Sequence, residues 1–94
     1  MSIILSLDIG TTKICAVAYC TEHKIMIGCE SVHNTSIHAL PPGYHEQSPG
    51  IIMETCCLVI RRLLSNSPID AGRVEAIAVT GQMHGMLLVD RTCT

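Results

Sequence analysis

Tryptophan and phenylalanine are both missing from this 94-residue chain, and it holds only two tyrosines. A chain so poor in rings gives nucleobases almost nothing to stack on. Six Lys and Arg against eight Asp and Glu leave a formal net charge of −2. That balance provides no basic surface for a nucleic-acid backbone. Long apolar runs are absent as well. The longest, "ICAVAYC" and "CCLVI", fall well short of the roughly 20 residues of a spanning helix. No basic stretch followed by an apolar core opens the chain, which argues against a secretory leader. Nucleic acid and membrane are therefore not expected partners.

Paired C-x-x-C spacings are a further absence. The six cysteines are Cys15, Cys20, Cys29, Cys56, Cys57 and Cys93, and none of their intervals suits a zinc site. Four of the six lie inside apolar periodic segments, where a reduced thiol behaves as a small buried hydrophobe. The expectation is reduced packing residues in a cytoplasmic protein. "NTS" at Asn34 matches a glycosylation sequon, a match short enough to arise by chance.

What is present is apolar. Hydrophobic residues make up 48%, charged residues 15%, and the mean hydropathy is +0.41. A domain this small has much surface to cover with polar groups. Such a composition suggests a piece that packs against the remainder of a larger chain.

"SIILSLDIG" reads as a strand from Ile3 to Asp8, nearly continuous in apolar residues and so covered on both faces. "TTKICAVAY" is a second strand. "HKIMIGCESV" is a third, with Ile25, Ile27 and Cys29 alternating against Lys24, Met26 and Gly28. The short connections predict antiparallel hairpins. A proline-bearing loop, "HNTSIHALPPGYHEQ", follows. In "SPGIIMETCCLVIRRLLSNSP", Ser48 suits an N-cap, Pro49 the first helical position, and Pro68 the residue past the end. Ile52, Cys56, Val59, Ile60 and Leu63 recur at helical spacing. Arg61 and Arg62 would sit in its last turns, where cations suit the helix dipole. "VEAIAVTG" reads as a buried strand and "MLLVD" as one more. The order β-β-β-α-β-β predicts a mixed α/β sheet, since a parallel neighbour needs a crossover and the one helix supplies it.

Two stretches have the residue types for chemistry. In "DIGTT", Asp8 to Thr12, a glycine lets backbone approach a phosphate, and Gly10, Thr11 and Thr12 supply N–H and hydroxyl donors. Asp8 could serve magnesium, directly or through water. The same composition also makes an ordinary hairpin turn. In "GQMHG", Gly81 to Gly85, Gln82 and His84 could bond hydroxyls while Met83 forms an apolar wall. The plainer alternative is a glycine-flanked loop whose histidine satisfies a nearby carbonyl. His23, His33, His38 and His45 read as solvated. Asp90 and Glu46 could act as acids or bases, but no pattern in the sequence says on what group.

Three elements together resemble the FGGY family of carbohydrate kinases. These are "LDIGTTKICAV", "YHEQSP" leading into a helix, and "AIAVTGQMHGMLLVD", in that order and at fitting separations. The third looks like the strand-loop-strand of sedoheptulokinases and xylulokinases. The resemblance implies an incomplete first domain over residues 1–94, of ribonuclease-H-like, actin-like ATPase fold. It implies transfer of the γ-phosphoryl of MgATP to a sugar hydroxyl, with ATP and Mg2+ as cofactors and a sugar as small-molecule partner. Asp8 would assist the magnesium and phosphates. Gly10, Thr11, Thr12 and Lys13 would lie at the nucleotide. Gln82, Met83 and His84 would lie at the sugar. The family's general-base Asp and its second domain match nothing in this chain, so the segment alone is expected to be inactive, or at most a sugar- or nucleotide-binding module. The helix after "EQSP" lacks the tryptophans common in xylulokinases, which places sedoheptulose ahead of xylulose. The family's basic residue three positions past the second Thr is here Cys15. Lys13 stands two residues earlier, on the same strand face by alternation.

Overall fold

The computed structural model describes residues 2–36, 42, 46–67, 69–82 and 86–92. The expectations for His38, His45, Pro68, Met83, His84, Gly85 and Cys93 lie outside the described residues. Strands β1 (Ile3–Ile9), β2 (Lys13–Cys20) and β3 (Ile25–His33) follow one another through tight turns. Helix α1 (Pro49–Asn66) carries the chain back, and β4 (Val74–Thr80) enters beside β1 after a 3-10 turn at Ala71–Arg73. The sheet order is β3-β2-β1-β4. β1 pairs β2 and β2 pairs β3 in antiparallel fashion, whereas β1 and β4 are parallel. The expected crossover topology is thus present in a four-stranded mixed α/β sheet with one helix.

The core lies between one sheet face and α1. Ile3, Leu5 and Leu7 of β1 and Ile14, Ala16 and Ala18 of β2 alternate onto that face. Cys56, Val59 and Leu63 of α1 pack down on them. Burying side chains of the Leu, Ile or Val type contributes about 1.5–3 kcal/mol each. α1 begins where the sequence placed it. Ser48 is the N-cap, its hydroxyl accepts from Ile51 N at 3.3 Å, and Pro49 follows. At Gly28 the helix end comes so close that an added Cβ would run into Ser67 and meet Leu63 Cδ1 at 3.0 Å.

Five expectations are corrected. Residues 86–90 form no strand; Met86, Leu87, Leu88 and Val89 are exposed, and a strand needs a ladder partner that the described residues do not bring to them. β4 is not buried. It is the sheet edge, and α1 packs over β3 and β2 and only touches β1, leaving Ile77 and Val79 exposed. β1 is covered on one face only: Ser6 and Asp8 are exposed. β3 does not alternate as expected, because its register shifts opposite Ala18/Tyr19. That bulge puts Gly28 opposite Ala18 and Ile25 opposite Cys20 on the helix side, and turns Cys29 outward. Finally, α1 continues past Arg61 and Arg62 and has no basic residue in its last turn. Buried Leu63 extends the helix, and Asn66 Nδ2 then donates to Glu30 Oε1 at 3.1 Å.

Cys15, Cys20, Cys29, Cys56 and Cys57 are free thiols. Only Cys20 and Cys56 are buried, so the expected packing role holds for those two. Among the described residues no helix is long and apolar enough to cross a membrane.

Candidate functional site

The Asp8 to Thr12 stretch and the described start of the second, Gly81 and Gln82, lie at one end of the sheet, because β1 and β4 run parallel and stop side by side. Asp8 pairs with Thr80 across that ladder. Thr80 Oγ1 donates to Asp8 Oδ1 at 3.0 Å. This contact fixes one carboxylate oxygen of an otherwise exposed group. The register also sets Cys15 beside Asp8 and Ser31 beside Cys15. Thr80, Asp8, Cys15 and Ser31 thus form a row on the face away from α1. Lys13 alternates with buried Ile14, so it shares that face with Cys15, opposite His33.

The turn after β1 is closed by Gly10 N donating to Lys13 O at 3.1 Å. A Cβ on Gly10 would stand 2.8 Å from that carbonyl oxygen, so the turn excludes a side chain there. Thr11, Thr12 and Lys13 are exposed. Their hydroxyls and ammonium are available to an anion at the turn.

A polar network under the turn holds it in place. Asn34 Nδ2 donates to Gly10 O at 2.8 Å, and Asn34 N donates to Thr12 O at 2.9 Å. Asn34 Oδ1 in turn accepts from Ser36 N at 3.0 Å and from Ser36 Oγ. Asn34 and Ser36 are buried. The "NTS" sequon is therefore occupied by structure, with its amide spent on the fold. Ser36 O accepts from Ser48 N at 2.8 Å, which binds the exit of β3 to the start of α1. Gln47 sits beside that contact, and its amide pairs with the amide of Gln82.

Of the expected site residues, Asp8, Gly10, Thr11, Thr12, Lys13 and Gln82 are gathered around this end. Met83 and His84 follow directly in sequence. Asn34, Ser36, Gln47 and Thr80 had no role in the sequence reading. Their signals were present but ambiguous: "NTS" resembled a sequon, and "EQSP" carried the family likeness without a chemical role.

Among the described residues no group of three or more His, Cys, Asp or Glu could hold a metal ion. One exposed carboxylate is still a fitting donor set for magnesium, which takes one or two carboxylates and completes its shell with water and substrate phosphates. Asp8 is that donor.

Comparison with known proteins decides the lineage. Residues 3–93 match the N-terminal domain of the FGGY family of carbohydrate kinases. The chain belongs to that family. This FGGY segment is 32% identical over 89 residues to a xylulose kinase of Staphylococcus epidermidis, covering 94% of the chain and 17% of that relative. It is 34% identical over 89 residues to a glycerol kinase of Xylella fastidiosa, again covering 94% and 17%. A crystal structure of a xyloylose kinase from Brucella ovis superposes with a TM-score of 0.88 at 27% identity, covering 98% of this chain and 19% of that one. The FGGY segment thus spans about a sixth of the length of the relatives it matches.

Proposed function

We propose that the protein carrying this FGGY segment transfers the γ-phosphoryl group of MgATP to a hydroxyl of a ketose. What carries the reading is the match over residues 3–93 together with the convergence of Asp8, the Gly10 turn and Gln82 at one sheet end. In the reaction the sugar oxygen bonds to the γ-phosphorus as the bond to the β,γ-bridging oxygen breaks, and ADP leaves. The hydroxyl proton passes to a base that we assign to no residue of this chain. Magnesium, when bound, neutralises charge on the phosphate oxygens. Asp8 holds that cation, with its carboxylate oriented by Thr80. The Gly10, Thr11 and Thr12 turn, with Lys13, receives the nucleotide phosphates. Met83 and His84 contact the sugar. Holding both reactants in register is the main task, because little covalent chemistry falls to the protein.

For the acceptor, the aliphatic, Cys-bearing α1 without tryptophan favours sedoheptulose, and the S. epidermidis relative favours xylulose. The five free thiols suit a reducing cytoplasm. We further propose that the 94 residues alone do not turn over, since residues 1–94 form part of a first kinase domain that packs against the remainder. The test is ADP release by the full-length native protein with MgATP and a panel of sedoheptulose, xylulose and glycerol. Release dependent on sedoheptulose or xylulose identifies the acceptor, and release with glycerol alone overturns the ketose assignment. Release no greater than the sugar-free control for every candidate overturns the reading.

A further inference from the structure

Gln47 has no role in the reaction just described, yet it stands where four segments meet. Its amide and that of Gln82 form a two-way pair. Gln47 Nε2 donates to Gln82 Oε1 at 2.9 Å, and Gln82 Nε2 donates to Gln47 Oε1 at 3.0 Å. The sense of the pair is set from the Gly10 side. Gln82 Nε2 also reaches Gly10 O at 3.4 Å, and a carbonyl can only accept. Ser36 Oγ lies 3.4 Å from Gln47 Oε1, with its single proton given to Asn34 Oδ1. Ser36 is fully buried and takes the Ser48 amide on its own carbonyl, which ties the backbone next to Gln47 to the exit of β3.

Both ends of the Gln82 amide are therefore engaged within the protein, by Gln47 and Gly10. Both donor hydrogens of that amide are thus directed at protein oxygens, which ties it to the backbone of the turn. The Gly10 carbonyl it touches belongs to the turn that receives the phosphates. The same turn is held from below by Asn34.

We propose that Gln47 is a positioning residue. Through Gln82 it fixes the start of the sugar-side segment relative to the Gly10 turn, so that acceptor and phosphates keep a constant separation. The proposal rests on the sugar-kinase reading, and it gives Gln82 a positioning role in place of direct sugar contact. Small displacements are costly in such a site, because the rate depends on near-attack geometry.

The test is a double-mutant cycle in the full-length native protein, read as kcat/KM for the accepted sugar and as melting temperature. Gln47→Ala and Gln82→Ala should each lower kcat/KM about tenfold, the loss expected when two neutral hydrogen bonds are removed. Gln47→Ala/Gln82→Ala should fall no further than Gln82→Ala alone, because Gln82→Ala already removes every bond of the pair along with the Gly10 contact. Melting temperatures should stay near wild type, since the pair is largely solvent-accessible. Gln47→Glu keeps an acceptor for Gln82 Nε2 but sets a carboxylate oxygen against Gln82 Oε1, so it should lose at least as much as Gln47→Ala. A Gln82→Ala loss far exceeding that of Gln47→Ala, or additive losses in the double variant, would mean that Gln82 touches the sugar itself and would overturn the proposal. Unchanged kcat/KM with lowered melting temperature would reduce the pair to a structural contact and overturn it equally. Wild-type protein without sugar-dependent ADP release fails before any substitution is made, which marks failure of the kinase reading as a separate result.

Discussion

Asn34→Ala tests whether the turn is held from beneath. The substitution removes three hydrogen bonds: Nδ2 to Gly10 O at 2.8 Å, Ser36 N to Oδ1 at 3.0 Å, and Ser36 Oγ to Oδ1. A net contribution of about 0.5–1.5 kcal/mol for each gives a loss of roughly 1.5–4.5 kcal/mol. The upper half applies, because Ser36 is 0% exposed and would keep only the longer contact to Gln47 at 3.4 Å. Domains of this size have about 5–15 kcal/mol in total, so the loss is a large share. Asn34→Asp separates the two halves of the network. It keeps the acceptor for Ser36 but sets a carboxylate oxygen against the Gly10 carbonyl, so it should also destabilise, by at least about 1.5 kcal/mol. Urea unfolding followed by circular dichroism reads both variants against wild type. An Asn34→Ala variant within about 0.5 kcal/mol of wild type would refute the reasoning, since that is below the contribution of one net hydrogen bond.

Other predictions follow from individual contacts. Gly28→Ala should destabilise by about 1–3 kcal/mol, because its Cβ would overlap Ser67 and press on Leu63 Cδ1; an unchanged urea midpoint would contradict the close helix–strand approach. Asp8→Ala in the full-length protein should remove most sugar-dependent ADP release, and undiminished release would remove the role given to that carboxylate. Iodoacetamide at neutral pH should label exposed Cys29 and Cys57 well before Cys56. Burial, with a smaller contribution from Cys57, pushes the Cys56 thiol above its ordinary pKa. Because the folded-state value is raised, the stability linked to this thiol is complete at neutral pH and falls as pH rises through the thiol range. Peptide mass mapping showing Cys56 modified as fast as Cys57 would refute this. Val79→Lys, on the exposed apolar edge of β4, should reduce concentration-dependent association in light scattering, since charge on an edge strand opposes pairing with another edge.

Local signals determined much of this protein. Alternation of Ile14, Ala16 and Ala18 fixed which face of β2 enters the core, since pleating obeys only the strand's own period. Ser48 and Pro49 fixed the start of α1, because capping is settled within one turn of the chain. The FGGY likeness was also legible, carried by "DIGTT", "EQSP" and "GQMHG". Tertiary structure decided the rest. Ile77 and Val79 have the composition of buried residues, but burial depends on what lies across from a side chain, and α1 does not reach β4. The apolar run 86–90 has strand composition, yet a strand exists only by pairing. The bulge in β3 reversed an alternation that sequence alone could only continue. Thr80 against Asp8, and Gln47 against Gln82, are separated by 72 and 35 positions. No local pattern joins residues so far apart; the parallel docking of β4 on β1 brings them together.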